Sequence, residues 1–261
     1  MAAAPTIARK TEEDGVEIVV LKNPPLNLLS RNVLRELGVA LDSIERSPGT
    51  RCVVLTGDGT YFSAGADLKE IAAIGIDHAS EVARAGQALF GRLESMRAPT
   101  IAALNGLAVG GGLELALACD LRVAGESAKL GAPEVNYGLM PAYGGTQRLP
   151  RLIGNARAKE MIFTGNLVPA AEAMKIGLVN RVVPAGQELR AARDLAHTIA
   201  QRAPRAVAGA KRAIVDGSQL SLKDGLEMEL REFEKEVLPS VDLVEGIAAF
   251  VERRPPKFKG E

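Results

Sequence analysis

The sequence predicts an α/β fold, and three patterns lead to that prediction. Short runs of apolar and β-branched residues alternate with longer segments in which apolar residues recur at helical spacing. The apolar runs in the middle of the chain are continuous, which is typical of parallel strands buried on both faces. After position 183 the pattern is helical only. We therefore expect a parallel sheet with right-handed crossovers, followed by a helical C-terminal segment.

The elements follow from local signals along the chain. Val16–Leu21 is predicted to be the first strand because it is rich in β-branched residues. Ser30 is suited to cap a helix that runs to about Arg46. Further strands are predicted at Cys52–Leu55, Ile101–Leu104, Leu121–Ala124 and Leu178–Val183. The helices predicted after them are Glu188–Gln201, Ala206–Asp216, Leu220–Val237 and Val241–Arg253.

The chain is expected to divide near residue 200. Residues 1–200 are predicted to form the α/β core that carries the binding and catalytic site. Residues 201–261 are predicted to form a helical C-terminal segment without a strand of its own. Amphipathic helices of this kind must bury their apolar faces, so the segment packs on the core or on another subunit.

Composition excludes several classes of function. The chain has 261 residues, 47% of them apolar, and a formal net charge of zero, which argues against nucleic acid as a main partner. No apolar run is long enough to span a membrane. Met1–Gly15 has the features of neither a signal nor a transit peptide, so we expect a cytoplasmic protein. Cys52 and Cys119 each border an apolar run and are predicted to be buried, reduced thiols.

A triple glycine, Gly110-Gly111-Gly112, follows the third predicted strand and precedes an apolar helical run. Glycines let the backbone approach a ligand closely, and a helix that begins there directs free N–H groups at the same place. Glu114 is the only charged residue of that run, where burial of an ion is costly. The stretch is therefore either an anion-binding site with an acid or base beside it, or a flexible turn with a carboxylate at a helix start.

The loop after Cys52–Leu55 is a second candidate site. Ala64-Gly65-Ala66 has small side chains that expose backbone N–H groups, and Asp67 is suited to cap a helix directly after them. A dinucleotide fingerprint is disfavoured because Phe62 occupies its third glycine position. Ser63 is disfavoured as a nucleophile because Tyr61 stands where the elbow motif requires glycine.

Two further features lie later in the chain. Pro133 suits the first turn of a helix, and Glu134 behind it either complements the helix dipole or supplies a second carboxylate. Gly144-Gly145-Thr146 is expected to start another helix.

Three segments together make the chain resemble the enoyl-CoA hydratase/isomerase (crotonase) family, and the resemblance extends over essentially the whole chain. They are F-S-A-G-A-D-L-K-E at 62–70, N-G-L-A-V-G-G-G-L-E-L-A-L-A-C-D at 105–120 and G-A-P-E-V-N-Y-G-L-M-P-A-Y-G-G-T-Q-R-L at 131–149. The resemblance implies a spiral of ββα repeats with a C-terminal helical segment that forms trimers, often paired into hexamers.

The same resemblance implies roles for individual residues. Glu114 and Glu134 would be the catalytic carboxylates, and the backbone N–H groups of Ala66 and Gly111 would form an oxyanion hole. The other predicted contacts with substrate are Ala64, Gly65, Asp67, Leu68, Gly110, Pro141, Ala142 and Tyr143. The implied reaction is addition of water to a trans-2-enoyl-CoA, as in fatty acid β-oxidation or related acyl-CoA catabolism. Coenzyme A is then part of the substrate, and no other cofactor and no metal is expected.

The sequence departs from the family pattern at one loop. The family commonly has glycine after the loop proline, whereas this chain has Ala142-Tyr143, which leaves the acyl chain length open. Methylglutaconyl-CoA hydratase and enoyl-CoA isomerase are alternatives within the superfamily. A non-catalytic CoA-binding or RNA-binding scaffold is a remote alternative from another class.

Overall fold

The computed structural model describes residues 4–261, which fold into an α/β structure with two sheets. The strands are β1 (Ile7–Thr11), β2 (Val16–Leu21), β3 (Cys52–Gly57), β4 (Thr100–Leu104), β5 (Leu107–Val109), β6 (Leu121–Gly125), β7 (Lys129–Gly131), β8 (Val168–Pro169) and β9 (Arg181–Val183). The helices are α1 (Arg31–Glu45), α2 (Leu68–Ile74), α3 (Ala79–Ser95), α4 (Gly111–Ala118), α5 (Gly145–Ile153), α6 (Asn155–Thr164), α7 (Ala170–Lys175), α8 (Glu188–Ala200), α9 (Pro204–Gly217), α10 (Leu222–Glu232) and α11 (Val241–Glu252).

The larger sheet has the strand order β1-β2-β3-β4-β6-β9. Within residues 4–261, all neighbours from β2 to β9 in this sheet are parallel, and β1 alone pairs antiparallel, with β2. The parallel sheet predicted from the continuous apolar runs is therefore confirmed, whereas β1 adds an edge strand that the sequence analysis did not predict.

A second sheet of three short strands, in the order β5-β7-β8, gives the fold its repeat. After β4 in the large sheet the chain forms β5 in the small sheet and then α4. After β6 it again enters the small sheet as β7, and a 3-10 turn at Pro133–Tyr137 follows. These two turns of the chain each contribute one strand to each sheet before a helical segment, as in the predicted ββα spiral.

Both faces of the large sheet are covered. On β3, Val53 and Leu55 belong to the apolar core shared with α1 and α3, while Cys52 and Val54 face α8. All six residues of β3 are buried, as the continuous apolar run predicted. Cys52 and Cys119 are both buried free thiols, which confirms the prediction from the apolar runs around them.

Most predicted helix boundaries are close to those of the structure, and the differences have local causes. Ser30 Oγ accepts a hydrogen bond of 3.3 Å from Val33 N, so Ser30 caps α1 as predicted. Helix α9 begins at Pro204 and not at Ala206, because proline at the first helical position loses only an N–H that has no partner there. Strand β9 begins only at Arg181, since the residues before it form the turn that ends α7.

The C-terminal helices lie on the core and also expose apolar side chains. On α9, the Lys211 ammonium group is buried and lies 2.7 Å from Asp120 Oδ2 and 3.2 Å from Ala98 O. Leu222 and Phe250 are 81% and 85% exposed. Among the helices of residues 4–261, none combines the length and apolar character that a membrane crossing requires. The first three residues of the N-terminal stretch, for which no targeting signal is predicted, lie outside the described residues.

Candidate active site

The loop before α2 lies directly against the backbone that leads into α4. Ser63 N donates a hydrogen bond of 3.1 Å to Leu107 O, and Val109 N donates one of 3.1 Å to Ser63 O. Ser63 therefore pairs with β5 in the manner of a parallel strand. Two chain segments run side by side in consequence, and they bring Ala66 next to Gly111.

Glycine at position 65 permits this close approach. Gly65 has a φ of +89°, and a Cβ atom added there would lie 2.8 Å from Val109 O and 3.0 Å from Gly111 N. A Cβ atom added at Gly111 would lie 3.4 Å from Ala66 N. A side chain at Gly65 would force the two segments apart. Of the three residues predicted to expose N–H groups, only Ala66 does so within residues 4–261, because Ala64 N donates to Leu26 O at 2.9 Å and Gly65 N donates to Ser63 Oγ at 3.1 Å.

The N–H groups of Ala66 and Gly111 form a pair of available donors. Within residues 4–261, neither of them donates a hydrogen bond to another group of the protein. Gly111 is the first residue of α4, so the positive end of the helix dipole adds to the potential at the same point. The pair is suited to bind an oxygen atom that gains negative charge.

Glu114 lies one turn along α4 from this pair and is only 3% exposed. Its Oε1 atom accepts hydrogen bonds from Tyr143 N at 2.8 Å and from Gly145 N at 2.7 Å. Burial raises the pKa of Glu114 to about 7, although the two backbone donors act in the opposite direction. The charge of nearby Glu134 raises this pKa further. Glu114 is therefore a carboxyl group that can both release and accept a proton near neutral pH.

Glu134 lies in the 3-10 turn that begins at Pro133. Both of its carboxylate oxygens are buried and have no hydrogen-bond partner within residues 4–261. Burial raises the pKa of Glu134. A Cβ atom added at Gly110 would lie 3.4 Å from Glu134 Oε1, so this carboxyl group lies beside the glycine run. The unsatisfied oxygens face the same space as Glu114 and are available to a substrate.

A cavity of about 160 Å³ joins these groups. Most of the residues predicted to form the site line it, namely Ala64, Ala66, Leu68, Gly110, Gly111, Glu114, Glu134, Ala142 and Tyr143. The rest of the lining is mostly apolar, was not predicted from the sequence, and comprises Ile71, Ala79, Val82, Ala83, Pro133, Tyr137, Leu139 and Met140. Apolar residues at helical spacing on α3 were the available signal for Val82.

Three predicted contact residues do not line the cavity. Gly65 makes the turn behind Ala66, and Pro141 packs near Gly145 at the start of α5. Asp67 caps α2, because its Oδ1 atom accepts hydrogen bonds from Lys69 N at 3.0 Å and from Glu70 N at 3.2 Å. Their contact with a substrate stays a prediction.

Ser63 has a structural role in this arrangement. Its hydroxyl group donates a hydrogen bond of 2.7 Å to Asn27 O and accepts one of 3.1 Å from Gly65 N. The side chain is fully buried beneath the loop. Ser63 therefore fixes the path of the loop that carries Ala66, in agreement with the argument against a serine nucleophile.

Comparison with known proteins places the chain in a family. The model of the family described as enoyl-CoA hydratase/isomerase matches residues 11–261. The chain belongs to the enoyl-CoA hydratase/isomerase family. A solved structure of an enoyl-CoA hydratase from Bacillus anthracis superposes with a TM-score of 0.95 at 43% identity, and the match covers 98% of this chain and 100% of that one.

Two curated relatives of this family show the range of activities among similar chains. A short-chain-enoyl-CoA hydratase of Clostridium acetobutylicum is 39% identical, and the match covers 93% of this chain and 94% of the relative. A mitochondrial methylglutaconyl-CoA hydratase of Homo sapiens is 40% identical, and the match covers 97% of this chain and 77% of the relative. The predicted crotonase fold and family membership are thereby confirmed.

Proposed function

We propose that the protein is an enoyl-CoA hydratase, which adds water across the 2,3 double bond of a trans-2-enoyl-CoA and forms a 3-hydroxyacyl-CoA. One observation carries this proposal: two buried carboxyl groups and two unengaged backbone donors face one small cavity. Hydration of an α,β-unsaturated thioester requires stabilisation of an enolate oxygen and two proton transfers. The cavity contains groups suited to each of these tasks.

The thioester oxygen would accept hydrogen bonds from the N–H groups of Ala66 and Gly111. Negative charge develops on that oxygen when hydroxide adds to C3, so the donors bind the transition state more strongly than the substrate. Loss of one such donor typically raises a barrier by about 3–4 kcal/mol. The donors belong to the main chain and are held by the pairing of Ser63 with β5, so they need no reorganisation during the reaction.

The surroundings of the two carboxyl groups suggest how they divide the proton transfers. Glu114 Oε1 accepts two backbone hydrogen bonds, which favour its ionised form and suit it to deprotonate water. Glu134 has no such partners within the described residues, so its neutral form is favoured and it can protonate C2. Glu114 thus takes one proton from water as the water oxygen bonds to C3, and Glu134 gives a proton to C2.

A second candidate substrate is methylglutaconyl-CoA, because the human relative that is 40% identical carries that name. Hydration of this substrate would use the same carboxyl groups and the same oxyanion hole. An isomerase moves one proton from carbon to carbon and does not need a second carboxyl group for water, so the presence of both Glu114 and Glu134 favours hydration. Analysis of the products from each acyl-CoA separates these activities.

The experiment that tests the proposal follows the loss of enoyl-thioester absorbance when purified protein meets crotonyl-CoA. Glu114→Gln and Glu134→Gln should each lower kcat by at least about 100-fold, because each removes one proton-transfer group. Glu172→Gln is a matched control on an exposed side chain of α7 and should retain full activity. Absence of hydration with every enoyl-CoA tested, or full activity in both site variants, would contradict the proposal.

The proposal extends to assembly and location. Large apolar side chains remain exposed on the C-terminal helices, among them Ile214, Leu222, Leu226 and Phe250. Exposed apolar side chains of this size need a partner surface, which supports a homotrimer, or a hexamer of two trimers, with residues 201–261 as the trimerisation segment. Light scattering during gel filtration measures this mass directly. We further propose that the protein acts in the cytoplasm, in β-oxidation or related acyl-CoA catabolism. Coenzyme A is then part of the substrate.

A further inference from the structure

Tyr143 directly follows Ala142, the residue at which the loop sequence departs from the family pattern, and its side chain is almost completely buried. It is 4% exposed, and its ring packs edge-to-face against Phe90 with 5.5 Å between the ring centroids and an interplanar angle of 86°. Its hydroxyl oxygen is buried without a hydrogen-bond partner within residues 4–261. Packing of the ring, and not a bond to the hydroxyl group, therefore holds this side chain.

Two glycines make room for the ring. A Cβ atom added at Gly86 on α3 would lie 2.5 Å from Tyr143 Cδ1. A Cβ atom added at Gly111 would lie 3.1 Å from Tyr143 Cδ2. The ring thus lies between α3 and the first residue of α4, directly beside a donor of the oxyanion hole. It fills space that a smaller residue at position 143 would leave to the cavity.

The main chain of the same residue fixes where the acyl group must lie. Tyr143 N donates a hydrogen bond to Glu114, the group proposed to deprotonate water. The substrate carbon C3, which receives that water, therefore has to lie close to Tyr143 Cβ. The thioester oxygen is placed at Ala66 and Gly111 by the proposed function. Acyl carbons beyond C3 that pass Glu114 therefore meet the ring of Tyr143 and, behind it, Phe90.

On this basis we propose that Tyr143 is a specificity-determining residue whose ring closes the acyl end of the cavity and restricts the substrate to short acyl chains of about four carbons. The inference rests on the proposed function, because that function places the thioester at the two backbone donors. The cavity volume of about 160 Å³ is consistent with a short acyl group. Ring volume, and not the hydroxyl group, sets this limit.

Binding and turnover are measured separately, so that failure of the inference is distinguished from failure of the proposed function. Calorimetry gives the Kd values of butanoyl-CoA and decanoyl-CoA for the wild type, Tyr143→Ala and Tyr143→Phe. The ratio of these Kd values should favour the short chain in the wild type and shift toward decanoyl-CoA by at least about tenfold in Tyr143→Ala, because buried methylene groups each add about 0.8 kcal/mol. Tyr143→Phe should leave the ratio within about twofold of the wild type, since the ring remains.

Turnover of trans-2-enoyl-CoA substrates with four to ten carbons should show the same order in kcat/KM. An unchanged Kd ratio in Tyr143→Ala would overturn the inference, and so would an equal shift in Tyr143→Phe, which would assign selection to the hydroxyl group. Hydration of no substrate, with the predicted shift in binding, would instead overturn the proposed function alone.

A paired substitution provides a second test, which asks whether the ring packs against Gly86. Gly86→Ala should displace the ring and weaken butanoyl-CoA binding by at least about tenfold, whereas Gly86→Ala combined with Tyr143→Ala should remove the clash and recover decanoyl-CoA binding. Gly91→Ala is the matched control, because Gly91 lies on the same helix as Gly86 and a Cβ atom added there would have no neighbouring atom within 4 Å. If the changes in binding free energy of the two substitutions were additive, the inference that the ring packs against Gly86 would be wrong.

Discussion

Glu114→Gln is expected to make the protein more stable at alkaline pH while it lowers kcat by at least about 100-fold. The glutamine carbonyl oxygen can accept the same two hydrogen bonds from Tyr143 N and Gly145 N, so the loop keeps its place. The substitution removes only the ability to ionise. The buried site no longer has to hold a negative charge above neutral pH.

The size of the effect follows from the pKa. Burial raises the pKa of Glu114 from 4.5 to about 7, so the neutral carboxyl group is favoured by folding. This contribution is fully present below about pH 4.5 and is lost as the pH rises through about 7. At 1.36 kcal/mol per pKa unit the loss amounts to about 3 kcal/mol of the free energy of unfolding. Glutamine does not ionise, so Glu114→Gln should not show this loss.

Urea denaturation at about pH 5 and about pH 8, at one fixed protein concentration, measures the difference. The unfolding free energy of the wild type should fall relative to that of Glu114→Gln by about 2.5 kcal/mol between the two pH values, because part of the full loss has already occurred at pH 5. Glu172→Gln on the surface of α7 should follow the wild type. The reasoning is refuted if Glu114→Gln and the wild type lose stability in parallel.

Three further outcomes are expected. Turnover of crotonyl-CoA in the wild type should fall as the pH decreases through about 7, because Glu114 becomes protonated; a pH profile of kcat/KM measures this. Gly145→Ala should lower kcat by at least about 100-fold, since its Cβ atom would lie 2.9 Å from Glu114 Oε1, whereas Gly91→Ala should not. Lys211→Met should lower the free energy of unfolding by about 3 kcal/mol in urea denaturation, because it leaves Asp120 without its buried partner; an unchanged value would contradict that role.

The parts of the fold that could be predicted from the sequence are those with strong local signals. The buried strand at β3 and the serine-capped helix α1 have continuous or periodic apolar patterns that fix their type. The glycines at 110–112 and the lone Glu114 likewise indicate a candidate site through residue type and spacing alone. In these stretches the local preference and the tertiary environment agree.

The remaining parts depend on contacts between distant residues. Strands β5, β7 and β8 have three, three and two residues, too few to show an alternating pattern. Helix α3 has five buried residues, and one of them is Gly86. Gly86 contacts the ring of Tyr143 only once the loop that carries Tyr143 has folded onto α3, so no local pattern predicts this contact. The approach of Glu134 to Gly110 is also tertiary, and only the family resemblance anticipated that the two glutamates act together.

The pairing of Ala66 with Gly111 has a consequence for how this protein can be dissected and how it can vary. The proposed oxyanion donors are backbone N–H groups, so their side chains take no part in the chemistry. Alanine scanning therefore leaves Ala66 unchanged, and at Gly111 it measures only the crowding of neighbouring atoms by a new Cβ atom. Replacement of the peptide N–H by an ester oxygen at either position, through semisynthesis, is the substitution that removes a donor. Apart from proline, which also lacks the N–H group, encoded substitutions affect this function only through the shape of the backbone. The residues that maintain that shape pack behind the loop, and buried Ser63 is one of them.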